Sequence, residues 1–156
     1  MDKNREKEME VRLSRAWNET IGNSQRRRIQ EVWKKTKEKK ELSREDKRLA
    51  EILLEHKQYQ EIWETVPLHP EKITGGVNPY LHVYLHLAIE NQIAEENPRQ
   101  VNRYLSRRLS QGEDRHTIIH DIVSVFSEYL FDALRYRKPF DRLKYAQRLA
   151  EMSEML

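Results

Sequence analysis

Apolar residues recur at spacings of three and four along most of this sequence, and that spacing places them on one side of an α-helix. Only four glycines and five prolines interrupt the 156 residues, and few segments are rich in β-branched residues. These features together predict an all-α protein, a helical bundle of about six to seven helices.

The expected helix boundaries follow from capping residues and from glycine or proline breaks. We expect helices over residues 3–21, 24–39, 43–63, 79–96, 98–110, 113–135 and 139–155. The segment from Pro67 to Gly76 is expected to be a loop between helices. Neither side of that loop has enough apolar surface for an independent core, so we do not expect a domain boundary there.

The composition excludes several classes of protein. With 29 basic and 26 acidic residues, the formal net charge of +3 is too small to indicate nucleic-acid binding by itself. No segment approaches the roughly 18 apolar residues that span a bilayer, and the charged start MDKNREKEME lacks the apolar segment of a signal peptide. We therefore expect a cytoplasmic protein with no membrane association.

The chain contains no cysteine, which excludes disulfides, thiolate metal sites and cysteine nucleophiles. Histidine, aspartate and glutamate remain as side-chain ligands for a metal. Histidine is the residue type whose arrangement is most informative here.

Two of the expected helices each carry a His-x-x-x-His pair. On a helical wheel, His82 and His86 share an arc with Leu85, and His116 and His120 likewise fall on an apolar arc of their own helix. We therefore expect both pairs to face inward. Residues four apart on a helix bring two imidazoles onto one face, about 6 Å apart, which is close enough to bind one metal ion.

His56 also falls among apolar positions of its expected helix, so five of the six histidines are predicted to point into one core. Buried neutral imidazoles need hydrogen-bond partners, and buried charged imidazoles repel one another. A metal ion removes both difficulties. We favour a metal site over a hydrogen-bonded polar core, which remains the alternative.

Nearby carboxylates help to identify the metal. Glu90 is a further expected ligand, and Glu113 and Glu128 are candidates for an additional ligand or a base. A di-iron carboxylate bundle needs two Glu-x-x-His motifs, whereas this sequence has one, which begins at Glu113. The pattern therefore favours zinc, with iron or manganese as the second choice.

The sequence leaves enzymatic activity open. Val83 and Thr117 stand where a zinc protease of the His-Glu-x-x-His type would have its glutamate. If the metal binds water at an open position, Glu90 or Glu113 could act as the general base, so the enzyme class that we consider is a metal-dependent hydrolase.

An alternative hypothesis for the function is that the protein is a non-enzymatic module that binds nucleic acid or protein through its basic helices. Its expected contact residues are Arg26, Arg27, Arg28, Lys34 and Lys35. Glutamates such as Glu31 and Glu38 interleave these residues, which favours a solvated helix face instead.

A further alternative is a homo-oligomer that forms through the N-terminal helix. Leu13, Ala16 and Trp17 would dock that helix onto a second copy of the chain. The heptad pattern is too short to indicate a coiled coil.

The segment NPYLHVYLHLAIENQ, residues 78–92, resembles the hallmark of a bacterial family known as domain of unknown function 1841. His116, His120 and Glu128 resemble family positions as well, as does the tract His56-Lys57-Gln58-Tyr59. The resemblance implies that His56, His82, His86, His116 and His120 form one group. It implies no activity.

The resemblance covers residues 25–150, so it implies a single helical-bundle domain over residues 25–156 with an N-terminal helical extension over residues 1–24. The corresponding tract in the family commonly reads His-Pro-Glu-Tyr-His. Lys57 and Gln60 stand here in place of the proline and the second histidine.

Overall fold

The structure is a computed structural model that describes residues 3–156. This part of the chain contains nine α-helices and no strand: α1 (Lys3–Asn18), α2 (Gly22–Lys37), α3 (Arg44–Glu55), α4 (Gln60–Thr65), α5 (Pro70–Ile73), α6 (Pro79–Glu95), α7 (Arg99–Ser110), α8 (Arg115–Arg135) and α9 (Arg142–Glu154). All except α4 and α5 have 12 residues or more. The predicted all-α class is confirmed, and the seven longer helices agree with the predicted number of about six to seven. None of the described helices combines the length and the apolar character needed to cross a membrane.

The chain divides into two compact units, Met1–Leu87 and Ala88–Leu156, and the dividing point falls within α6. In the first unit, α2 packs against α1, α3 and α4. In the second unit, α7, α8 and α9 pack against one another in pairs. The division into an extension over residues 1–24 and one domain over residues 25–156 remains a prediction.

The helix predicted over residues 43–63 is interrupted, and that prediction is wrong. Helix α3 ends at Glu55, a 3-10 turn follows over Lys57–Tyr59, and α4 begins at Gln60. His56 between them leaves the helical conformation, with φ −96° and ψ 59°. Apolar spacing continues across this break, so periodicity alone does not reveal it.

Helix α1 is anchored in the first unit by Leu13 and Trp17, which are 1% and 0% exposed. A Cβ atom on Gly22 would lie 2.9 Å from the Trp17 carbonyl oxygen, so glycine at this position permits the close approach of α1 and α2. The predicted oligomer contact used Leu13, Ala16 and Trp17. Leu13 and Trp17 are buried within the chain and offer no surface to a second copy, whereas Ala16 is half-buried. Formation of an oligomer stays a prediction.

Helix α6 has apolar residues around most of its circumference, and such helices are buried. Its buried apolar residues are Tyr80, Leu81, Val83, Leu85, Leu87 and Ile89. The helix begins at Pro79, the first residue of the expected range. The Asn78 side-chain oxygen accepts a hydrogen bond from the Leu81 amide at 3.2 Å, and the Asn78 amide group donates to Ser14 Oγ at 2.9 Å. Asn78 therefore starts α6 and also links it to α1.

The second unit contains an ion-pair cluster around the Arg108 side chain, which is 8% exposed. Its guanidinium donates two hydrogen bonds to the Glu113 carboxylate and one each to Asp121 and the Tyr104 hydroxyl. These bonds tie α7 to the start of α8. The hydrogen bonds from Arg108 lower the pKa of Glu113 below its ordinary value of 4.5.

Replacing Asn78 tests its two roles. Asn78→Ala should lower the free energy of unfolding by about 2 kcal/mol, because it removes a helix cap and the part-buried hydrogen bond to Ser14. Asn78→Ser keeps a capping oxygen and should cost about half as much. Urea denaturation followed by circular dichroism would measure both, and equal losses would show that the cap does not contribute.

The ion pair of Glu113 predicts an acid-sensitive stability. Its pKa is lower in the folded protein than in the unfolded chain, so its contribution is complete above pH 4.5 and is lost as the pH falls through the lowered value. Glu113→Gln should therefore be less stable than the wild type at pH 7, and the difference should shrink toward pH 3. Chemical denaturation across this range would measure it, with Glu154→Gln, an exposed carboxyl on α9, as the control. A difference independent of pH would contradict the prediction.

Candidate metal centre

Three histidines of the first unit lie together. His82 and His86 are one turn apart on α6, and His56 follows the last residue of α3. The ring centroids are 5.0 Å apart for His56 and His82, 5.0 Å for His56 and His86, and 4.7 Å for His82 and His86. One nitrogen from each ring lies within 4.8 Å of the other two. The structure thus brings together three of the five histidines that the sequence predicted as ligands, and we refer to these three as the histidine triad.

The conformation of His56 follows from the way α3 ends. Its backbone amide donates to the carbonyl oxygens of Ile52 and Leu53, and its Nδ1 lies 2.7 Å from the Ile52 carbonyl oxygen. A carbonyl oxygen can only accept a hydrogen bond, so Nδ1 must carry the proton. When the ring is neutral, Nε2 therefore keeps its lone pair. Histidines that bind metals commonly hold their second ring nitrogen in this way.

The spacing of the triad suits a small transition-metal ion after a modest contraction. Tetrahedral zinc binds nitrogen at about 2.0–2.1 Å, which places neighbouring ligand atoms roughly 3.4 Å apart. The triad nitrogens lie within 4.8 Å of one another, so small side-chain rotations that move each nitrogen by about 1 Å would bring them to this spacing. His56 and His86 are buried at 7% and 8% exposure, and His82 is half-buried.

Aromatic side chains line one side of the triad. The Tyr59 ring is nearly parallel to that of His56, with centroids 5.9 Å apart, and it meets His82 edge-on, also at 5.9 Å. Trp63 packs in turn against Tyr59 and Tyr80. Burial, together with the charge of Glu10, raises the pKa of Tyr59, so its hydroxyl stays protonated at neutral pH. The sequence indicated no role for Tyr59 beyond its place in the tract His56-Lys57-Gln58-Tyr59.

His116 and His120 lie in the second unit, with ring centroids 4.3 Å apart on α8. Both side chains are exposed, so the prediction that this pair faces inward is wrong. Helix α8 instead buries a broad apolar face that includes Ile118, Ile122 and Phe126. On the helical wheel the pair falls on an apolar arc, but the face of α8 that is buried in the structure is the wider apolar arc beside it. A part for His116 and His120 in a metal site stays a prediction.

Two of the three predicted carboxylates, Glu90 and Glu113, are engaged by arginines. Both oxygens of Glu90 accept hydrogen bonds from Arg115, at 2.8 and 3.0 Å, and both oxygens of Glu113 accept from Arg108. The lowered pKa of Glu113 also makes this group a weak base. Glu128 is half-buried on α8. These ion pairs join different chain segments, which explains why sequence spacing did not reveal them.

Two residues of the predicted nucleic-acid surface, Arg26 and Arg28, form ion pairs within the chain. Arg26 binds Glu71 at 3.3 Å, with its guanidinium 5.1 Å from the centre of the Tyr80 ring, and Arg28 binds Asp46 at 3.0 Å. The remaining predicted contact residues are exposed or half-buried: Arg27, Lys34 and Lys35. Two of the three arginines are thus already paired with carboxylates, so the structure adds no support to this alternative.

Comparison with known proteins identifies the family of this chain. No curated protein and no solved structure matches the chain. Residues 22–151 match the family described as "Domain of unknown function (DUF1841)", and this stretch includes the histidine triad as well as His116 and His120. Because the match covers most of the sequence, the chain belongs to the DUF1841 family.

Proposed function

We propose that this protein binds a divalent transition metal through His56, His82 and His86. The observation that supports the proposal is the arrangement of three imidazoles, from two separate chain segments, with one nitrogen of each within 4.8 Å of the others. Two ligands four residues apart on a helix and a third from another segment form a common plan for metal sites in proteins.

The hydrogen-bonded alternative is less favourable on physical grounds. Protonating a second or third ring would place like charges about 5 Å apart in a largely buried cluster. Keeping all three rings neutral requires each lone pair of this close group to find a hydrogen-bond donor. A metal cation accepts these lone pairs simultaneously and removes both costs.

The ligand set favours zinc. Imidazole nitrogen suits zinc, whereas manganese prefers carboxylate oxygen, and non-haem iron sites commonly combine two histidines with one carboxylate. Within the described residues, the metal-ligand group comprises three histidines and no carboxylate. We therefore propose zinc, with iron or manganese as less suitable occupants.

Metal binding is the proposed function, and hydrolysis is the reaction that such a site would support. A zinc ion with three protein ligands lowers the pKa of bound water toward neutrality and so supplies a hydroxide nucleophile. This chemistry does not require Glu90 or Glu113, which are held by arginines. We therefore propose the metal itself, rather than either glutamate, as the group that would activate water.

Measuring the metal content of the purified protein tests the proposal directly. Protein purified without chelator should contain close to one ion per chain by elemental mass spectrometry, and His82→Ala or His86→Gln should reduce the content to background. Zinc at a 100-fold excess over its Kd should stabilise the wild type by about 2.7 kcal/mol and raise its Tm by several degrees. A metal-free wild type that takes up no ion on reconstitution would contradict the proposal.

Two further variants serve as matched controls. His69→Ala changes an exposed histidine outside the triad and should leave the metal content unchanged. The double variant His116→Ala/His120→Ala should also keep its metal if the triad binds it alone. Loss of the metal in that variant would instead support the five-histidine site predicted from the sequence.

A further inference from the structure

Building on the proposed metal site, we infer that the metal keeps one coordination position for a small anion from solution, reached along the Tyr59 side chain. The inference depends on the number and charge of the protein ligands and on which side chains of the triad are exposed.

The ligand count leaves the site incomplete. Zinc in proteins is usually four-coordinate, and structural sites fill all four positions with side chains. In the part of the chain that the structure describes, the group able to hold an ion contains three residues, His56, His82 and His86. Three protein ligands plus one exchangeable ligand is the arrangement found in zinc sites that react with small molecules.

The charge of the ligands selects an anion for the remaining position. Imidazole ligands are neutral when they bind a metal, so a divalent ion held by the triad keeps its full double charge. A charge in a largely buried site is stabilised by an opposite charge in contact with it. Hydroxide, azide and small carboxylates all meet this requirement, and each is compact enough to bind through one atom.

Differences in exposure indicate the direction of access. His56 and His86 are 7% and 8% exposed, whereas His82 and Tyr59 are both half-buried. Solvent therefore reaches the triad along the edge formed by His82 and Tyr59. The Tyr59 ring lies beside both His56 and His82, so an arriving ligand meets this ring. We expect the ring to restrict the size of the anions that bind.

Cobalt substitution makes the coordination sphere visible. The full-length chain loaded with Co²⁺ should show visible d–d bands, and titration with azide should change these bands in a saturable way. Benzoate, which carries its charge on a bulky ring, should need a higher concentration for half-saturation than azide. In Tyr59→Ala, the ratio of the benzoate and azide half-saturation concentrations should fall by roughly threefold or more.

The outcomes separate the two proposals. Failure to bind Co²⁺ would overturn the metal site and this inference with it. Loaded protein whose spectrum does not respond to azide would overturn the anion position alone and leave metal binding intact. An unchanged selectivity ratio in Tyr59→Ala would overturn the role of Tyr59. Tyr136→Ala removes an exposed ring of the second unit and should behave as the wild type.

Discussion

The end of helix α3 at His56 is the constraint on which the candidate site depends. The residue leaves the helical conformation, and its backbone amide and its ring both bond to the Ile52 carbonyl oxygen. One side chain thus satisfies a carbonyl group at a helix end and holds a fixed tautomer. The 3-10 turn that follows places Tyr59 beside the same ring. Had α3 continued as a regular helix, His56 would have been one more position on a helix face.

The other two imidazoles depend on the burial of α6. This helix is apolar on most sides, and its cap at Asn78 is also bonded to Ser14 of α1. Two polar rings on such a helix must either find partners or remain near solvent. His86 is buried and His82 half-buried, so the triad has both a protected side and an accessible side. This combination is what a reactive metal site needs and what a closed structural site lacks.

The ion pairs of the charged residues explain why the candidate metal ligands are histidines and not carboxylates. Charged side chains make up 35% of the sequence, yet Glu90 and Glu113, two of the three carboxylates predicted beside the histidines, are bound to arginines. Arg108 holds Glu113 and Asp121, and Arg115 holds Glu90. These contacts contribute to the packing of the second unit. They also make the paired carboxylates poorer proton acceptors. The ligand set that we propose is therefore neutral and contains only nitrogen atoms.

Local pattern was sufficient for the all-α class, for most helix boundaries and for the start of α6 at Asn78-Pro79, because capping and spacing act over a few neighbouring residues. The same pattern identified His82 and His86 as a pair on one face. Tertiary structure decided which helix faces are buried, and therefore that His116 and His120 are exposed. It also decided which carboxylates form ion pairs with arginines. The contact of His56 with His82 and His86 of α6 likewise depends on the tertiary structure. Spacing defines the faces of a helix, but the choice among those faces depends on contacts between residues far apart in the chain.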